Sequence, residues 1–313
     1  MSKKINGALI FPLLVFGFVL GIGIGGCSGD KTSIISQQES MPLTTSSQSL
    51  SNQTGSVETP STTSQSQPGL MNPSDIFTEA SNNTPGSPYV QEAQAVPILY
   101  YHSVMRENGN EVRMPPDQFE AQMAYLQDKG YHSISLEQLY QATYKGGGLP
   151  AKPFVITLDD GYVDNYTTAF PIMKKYGFTA TVFMITSYIN GEGFMSWSQL
   201  KDLVANGWEI EGHTANHPYL SKMDPETALS ELKSSKELLE KGLGQPVDFF
   251  AYPYGDLNAN VVQALKDTGY VMAVTTERGW ADGKEDVWHV HRVYCYASMG
   301  MNEFSRRMQN PNY

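Results

Sequence analysis

The chain has 313 residues, a net charge of −11 and 40% apolar residues, enough for one large core plus unstructured material. It carries no basic stripe that could release counterions from phosphates, so the acidity argues against nucleic acid and other polyanions as ligands.

At the N-terminus, "MSKKINGALIFPLLVFGFVLGIGIGGC" joins Lys3 and Lys4 to an apolar, glycine-containing stretch and small residues before Cys27. That is the pattern of a secretory signal. Ile24-Gly25-Gly26-Cys27 further resembles the lipobox of bacterial lipoproteins. The resemblance implies a leader at 1–26, a lipid on Cys27, and an exported protein held on the membrane and facing outward. A plain transmembrane anchor is the alternative, since the run approaches the roughly 20 residues that span a bilayer. Cys295 is the one other cysteine, so no disulfide framework exists and the fold must stand on its core. Within "RVYCYA" it reads as a buried strand residue.

Residues 27–95 are rich in Ser, Thr, Gln, Asn and Pro, with almost no apolar periodicity. Such a segment buries too little apolar surface to offset its ordering entropy and reads as a disordered tether. From Val96 to Tyr313, apolar runs alternate with helical patterns. "VPILYYHSV" is a first strand; "PDQFEAQMAYLQDKGY" then places Phe119, Met123 and Leu126 on one helix face, with Gly130 as its stop. A second helix starts at Ser135 and ends in glycines. Then come strand 154–158, helix 163–176, strand "TATVFMI", helix "SWSQLKDLVANG" and strand "WEIEGH". A charged helix near 224–242, strand "VDFFAYP", helix 257–268, strand "YVMAVTT" and strand "HVHRVYCY" complete the series. Repeated strand-then-helix over this length predicts a parallel α/β sheet, and a barrel fits.

The chemistry gathers at strand ends. "FVITLDDGYVDN" runs an apolar strand into Asp159 and Asp160. Successive strand side chains point to opposite faces, so both carboxylates can serve one site only where regular pairing ends. There, consecutive residues supply a metal ligand and a general base. A turn capping the next helix is the plainer reading. "WEIEGHTANHP" offers His213 and His217, spaced to stack on one face of a helical turn and grip one cation, with satisfied surface or capping histidines as the plainer alternative. Two imidazoles and a carboxylate leave open positions on a divalent ion, as hydrolysis requires. "FFAYPYGDLN" ends a third strand at Pro253, Tyr254 and Gly255, which by itself reads as an ordinary strand-to-helix turn and whose backbone N–H groups could face an oxyanion.

"TLDDG", "HTANHP" and "AYPYG", in this order and spacing, resemble the polysaccharide deacetylase family of metal-dependent carbohydrate esterases. The similarity spans roughly Val96–Arg292, and "PILYYHSV" with "FEAQMAYLQDKGYHSISL" looks most like exported poly-N-acetylglucosamine deacetylases. The resemblance implies a distorted (β/α) barrel, a divalent ion of the zinc type, Asp159 as base, and Asp160, His213 and His217 as metal ligands. It also implies the Tyr254 backbone N–H as oxyanion donor. The implied reaction is removal of N-acetyl groups from an N-acetylglucosamine polymer, with poly-β-1,6-N-acetylglucosamine favoured. Peptidoglycan is the rival, and acetylxylan or a catalytically silent glycan binder are alternatives. A monomer is the default.

Two departures from the family pattern stand out. The family often places an arginine where this chain has Ala251, and Arg292 in "HVHRV" is the candidate replacement, with an exposed salt bridge as its alternative role. The general acid is unassigned: His291 is the candidate, with His289 as the other possibility and Asp282 or Asp286 as tuning groups. His102 is placed at the mouth and His132 in a structural role. Among four tryptophans, Trp197 and Trp208 read as core, and Trp280 and Trp288 as sugar platforms on the rim.

Overall fold

The computed structural model describes Tyr89–Val90 and residues 95–313. The expected leader, Cys27 and most of the expected tether lie outside the described residues. In chain order, β1 (Tyr89–Val90) precedes β2 (Ile98–Tyr101), α1 (Pro116–Asp128), β3 (His132–Ser133), α2 (Leu136–Lys145), β4 (Leu149–Pro150) and β5 (Pro153–Asp160). Next come α3 (Phe170–Tyr176), β6 (Thr181–Met184), α4 (Trp197–Ala205), β7 (Glu209–Gly212) and α5 (Pro225–Leu243). β8 (Phe249–Ala251), α6 (Ala259–Asp267), β9 (Met272–Arg278), β10 (Val290–Tyr294) and α7 (Met301–Gln309) follow.

The strands β2, β5, β6, β7, β8, β9 and β10 pair in parallel in that order, and β10 returns to β2, closing a seven-stranded barrel. β3 pairs with the amino end of β5, and β1 pairs antiparallel with β4. β1 falls in the stretch expected to be tether, so ordered backbone begins earlier than the composition suggested.

Strand alternation builds two apolar layers. Leu99, Ile156, Leu158, Val182, Ile210, Phe250 and Val293 face the helices, meeting Phe119, Met123, Leu200, Leu203 and Leu232. Ile98, Val155, Phe183, Phe249, Met272, Val274 and Val290, at the alternate positions, fill the barrel together with Leu136 and Leu139 of α2. Helix α2 thus closes the amino end of the barrel. Ser135 caps it in a reciprocal pair with Gln138, and the interior carboxylate of Glu209 accepts the Leu136 and Glu137 N–H groups at 2.8 and 3.2 Å.

The expected helix 163–176 divides. Residues Asn165–Ala169 form a wide π turn before α3, and the Phe170 N–H reaches the Asn165 carbonyl. Pro171, in the first turn of α3, has no N–H to give an α-type bond. Helix α7 escaped the sequence reading; Phe304 and Met308, four apart, are the buried residues that seat it. It also explains a correction at the rim: the Trp280 indole N–H donates to the Arg307 carbonyl at 2.9 Å, while Trp288 is buried. Neither forms an open platform. Cys295 is buried behind β10, and burial pushes its thiol up to about 12.

Candidate active site

The carboxyl end of β5 answers how adjacent carboxylates can share one space. Asp159 points into the barrel by alternation, and Asp160 then takes a left-handed backbone with φ 75°, which breaks the pleat and brings its side chain to the same end. Gly161 continues at φ 81°, and a Cβ there would lie 2.1 Å from the Met184 sulfur, so only glycine fits. Six described non-glycine residues have positive φ, and four of them are Asp160, Thr214, His217 and Tyr254. Backbone strain is concentrated at this end of the barrel.

Asp159 is clamped by Arg292, which crosses the barrel interior from β10 with no exposed surface. The guanidinium donates through Nη1 to Oδ1 and through Nη2 to Oδ2, both at 2.8 Å. Its Nε donates to the Thr275 carbonyl at 2.8 Å, Nη1 also reaches Thr157 Oγ1 at 3.1 Å, and the group lies 4.1 Å from the Tyr100 ring centre. Burial pushes the Asp159 carboxyl up, but Arg292 outweighs it and holds the group below the usual carboxylate range. The exposed salt bridge considered for Arg292 is therefore excluded.

Asp160, His213 and His217 offer ligand atoms that all lie within 4.8 Å of one another. Each imidazole Nε2 is 3.4 Å from Asp160 Oδ1. A tetrahedral shell with ligands about 2 Å from an ion separates neighbouring ligand atoms by roughly 3.3 Å. Asp160 Oδ1 is buried with no hydrogen-bond partner. The His213 Nδ1 is engaged by the Ala251 carbonyl at 2.7 Å, which turns Nε2 toward the cluster. His217 is pushed down to about 4, by burial first and His213 next, so its imidazole is neutral and ready to ligate. Burial opposes ionisation of Asp160, yet His213 holds it at about 2. These donors fit a divalent metal ion.

The two histidines do not sit on a helical turn as their spacing suggested. They follow β7 in a loop where Thr214 and His217 are left-handed, and Thr214 Oγ1 accepts the His217 N–H at 2.9 Å. The Glu231 carboxylate of α5 pins the intervening Ala215 and Asn216 N–H groups.

His102 follows β2 and is brought to the same end. Burial lowers the proton affinity of its ring and outweighs Asp159 and Asp160, which raise it. Its Nδ1 is buried without a hydrogen-bond partner. The loop is held from below by the stretch after the two carboxylates. Asn165 Nδ2 donates to the His102 carbonyl at 2.7 Å, and Asp164 accepts from Ser103 Oγ and the Val104 N–H, each at 2.6 Å. Its sequence signal was a lone histidine at a strand end, with no partner nearby to single it out.

The turn Pro253–Gly255 follows β8, and Tyr254 has φ 60°. Its ring centre lies 4.5 Å from His217 and 4.0 Å from Tyr219. His291 is not brought to the cluster. It faces away from Arg292 on β10, with Nε2 3.4 Å from Glu277. His289 is half-exposed near Asp286 at 3.9 Å. Asp282 pairs with Lys284, and His132 meets the Ala151 carbonyl at 2.8 Å, away from the site.

Comparison with known proteins bears directly on this geometry. The family described as polysaccharide deacetylase matches residues 146–273. YxkH of Bacillus subtilis (strain 168), named as a polysaccharide deacetylase, is 35% identical over 215 residues, covering 69% of this chain and 76% of that protein. The poly-β-1,6-N-acetyl-D-glucosamine N-deacetylase of Staphylococcus aureus (strain N315) is 28% identical over 211 residues, covering 63% of this chain and 72% of its own. Among solved structures, the Streptococcus pyogenes deacetylase PplD, in complex with acetate, has a TM-score of 0.66 at 30% identity, covering 70% of this chain and 100% of that one. On these grounds, the chain belongs to the polysaccharide deacetylase family.

Proposed function

We propose that this enzyme removes N-acetyl groups from an N-acetylglucosamine polymer, with poly-β-1,6-N-acetylglucosamine as the favoured substrate. The Staphylococcus aureus relative supports that preference. The observation that carries the reading is the buried Asp159–Arg292 clamp beside an open set of three metal-ligating side chains. Two imidazoles and one carboxylate favour zinc. When bound, the ion supplies Lewis-acid polarisation of the water and of the acetamide carbonyl.

Asp159, oriented by Arg292 on both oxygens, accepts the proton of the attacking water. The Tyr254 N–H donates to the oxygen that gains charge as the carbonyl becomes tetrahedral. His102, rather than His291, hands a proton to the leaving nitrogen: it follows β2 at the same end of the barrel as the two aspartates, and its Nδ1 is committed to no other hydrogen bond. Acetate leaves and a free amine stays on the sugar. The leader pattern and Cys27 support an exported, lipid-anchored protein facing outward, followed by a tether at 27–95 and a catalytic domain at 96–313 that acts as a monomer.

The test is release of acetate and free amine from poly-β-1,6-N-acetylglucosamine oligomers, peptidoglycan and acetylxylan, each with chelator and with added zinc. Metal-dependent release of both products from the first substrate is expected. Acetate without amine, from acetylxylan alone, overturns the de-N-acetylase reading.

A further inference from the structure

We infer that Tyr219 and Tyr254 form a stacking platform for a sugar ring of the polymer, next to the residue that loses its acetyl group. The inference rests on the deacetylase reading for the identity of the polymer. It rests on the geometry alone for the platform.

The two rings are parallel within 11°, with centres 4.0 Å apart, and they are 51% and 54% exposed. Contiguous exposed apolar surface marks ligand-binding sites, and aromatic rings with one wet, polar end are the side chains enriched there. The pair also adjoins the chemistry: Tyr254 makes an edge contact with His217 at 4.5 Å. Tyr219 makes no ring contact with that imidazole, so shielding His217 does not account for the second ring.

The platform is built rather than incidental. Tyr254 has a left-handed backbone at φ 60°, which a bulky residue adopts only against steric resistance. Tyr219 comes from a different loop, and the two loops are bolted together beneath the rings. Asp256 accepts from both the N–H and the hydroxyl of Ser221 at 2.7 Å, and Asn258 Nδ2 donates to the Ser221 carbonyl at 3.3 Å. Leu220, buried in the core, anchors the same turn. A rigid pair of exposed rings loses little entropy when a ligand covers it. The occupant that fits is a pyranose, which presents a flat face of C–H groups to the negative face of an aromatic ring. A neighbouring sugar of the same chain is tethered to the reacting one, so its binding raises the local concentration of the acetamide at Asp159.

Binding of a poly-β-1,6-N-acetylglucosamine hexamer and of free N-acetylglucosamine to the full chain is measured by calorimetry, in chelator. The hexamer is expected to bind more tightly than the monosaccharide. Tyr219→Ala weakens hexamer binding about tenfold, and Tyr219→Phe and Tyr219→Trp retain it. Equal affinity for hexamer and monosaccharide, or no change with Tyr219→Ala, overturns the platform. A loss with Tyr219→Phe as large as with alanine also overturns it, because the hydroxyl and not the ring would then carry the contact. Acetate release is scored separately. Tyr219-dependent binding without acetate release from any polymer sinks the deacetylase reading and leaves the platform standing. Acetate release without Tyr219-dependent binding does the reverse.

Discussion

Arg292 and Asp159 meet across the barrel interior through two hydrogen bonds of 2.8 Å, and the arginine has no exposed surface. They lie on strands separated by β2, so the pair ties together the two sides of the barrel seam. Removing one partner of a buried pair strands the other as an uncompensated charge, which costs about 3–5 kcal/mol. Arg292→Ala is therefore expected to lower the unfolding free energy measured in urea by that order and to abolish acetate release. Arg292→Lys keeps the charge but not the fork, and should retain the fold better than it retains turnover. Equal stability of Arg292→Ala and the wild type would contradict the clamp.

Metal binding should appear as stability as well as activity. A ligand at a hundred times its dissociation constant stabilises the folded state by about 2.7 kcal/mol. Chelator should lower Tm and added zinc restore it, whereas Asp160→Ala and His217→Ala should show neither change. Differential scanning fluorimetry with metal analysis of the same samples makes the comparison. A zinc-dependent shift that survives both substitutions would place the ion elsewhere.

The role assigned to His102 separates amides from activated esters. An amine leaving group must be protonated as it departs, whereas a nitrophenolate need not be. His102→Asn should reduce acetate release from the polymer by about 10²–10⁴-fold, the usual range for a general acid, and reduce hydrolysis of nitrophenyl acetate much less. Loss of both activities to the same extent would make His102 a structural residue.

Glu211 offers a test confined to stability. It lies inside the barrel, where its Oε2 accepts the Phe249 N–H at 2.8 Å. Burial first and then Glu209 push its carboxyl well above the usual range. A folded-state value raised above the unfolded one contributes stability that is present at low pH and lost as pH rises through the folded value. The stability of the wild type relative to Glu211→Gln should thus increase from pH 8 to pH 5, read as the difference of their Tm values. Carboxylates that do not interact with Glu211 cancel in that difference, and Glu209, which does, is part of the effect read. A difference that grows with pH would refute the assignment.

Much of the site was legible because each apolar strand hands over to chemistry at its carboxyl end. Asp159, Asp160, His213 and His217 could be placed together from that pattern, whereas the turn at Tyr254 reads alone as an ordinary strand-to-helix turn and joined them only through the family resemblance. Arg292 was only half legible. Alternation allows one of His291 and Arg292 inside, but the choice depends on the register of β10 against β9, which shifts between Val290 and Arg292. The position of His102 at the mouth was legible but its role was not, because the groups around it come from β5, the loop after β7 and β10, far away in sequence. The tryptophans misled because Trp280 looked exposed until α7 was laid over it. The helical turn expected for the two histidines failed for a local reason: left-handed residues give the same spacing on a loop.

The plug formed by α2 limits how a polymer can approach. Leu136 and Leu139 seal the barrel from below, so a glycan cannot thread through it; it must drape across the open end and leave by the same side. A strand laid over the rim needs no free terminus to reach Asp159. Acetyl groups within a long chain can then be reached without a free end, and deacetylation leaves the length of the chain unchanged.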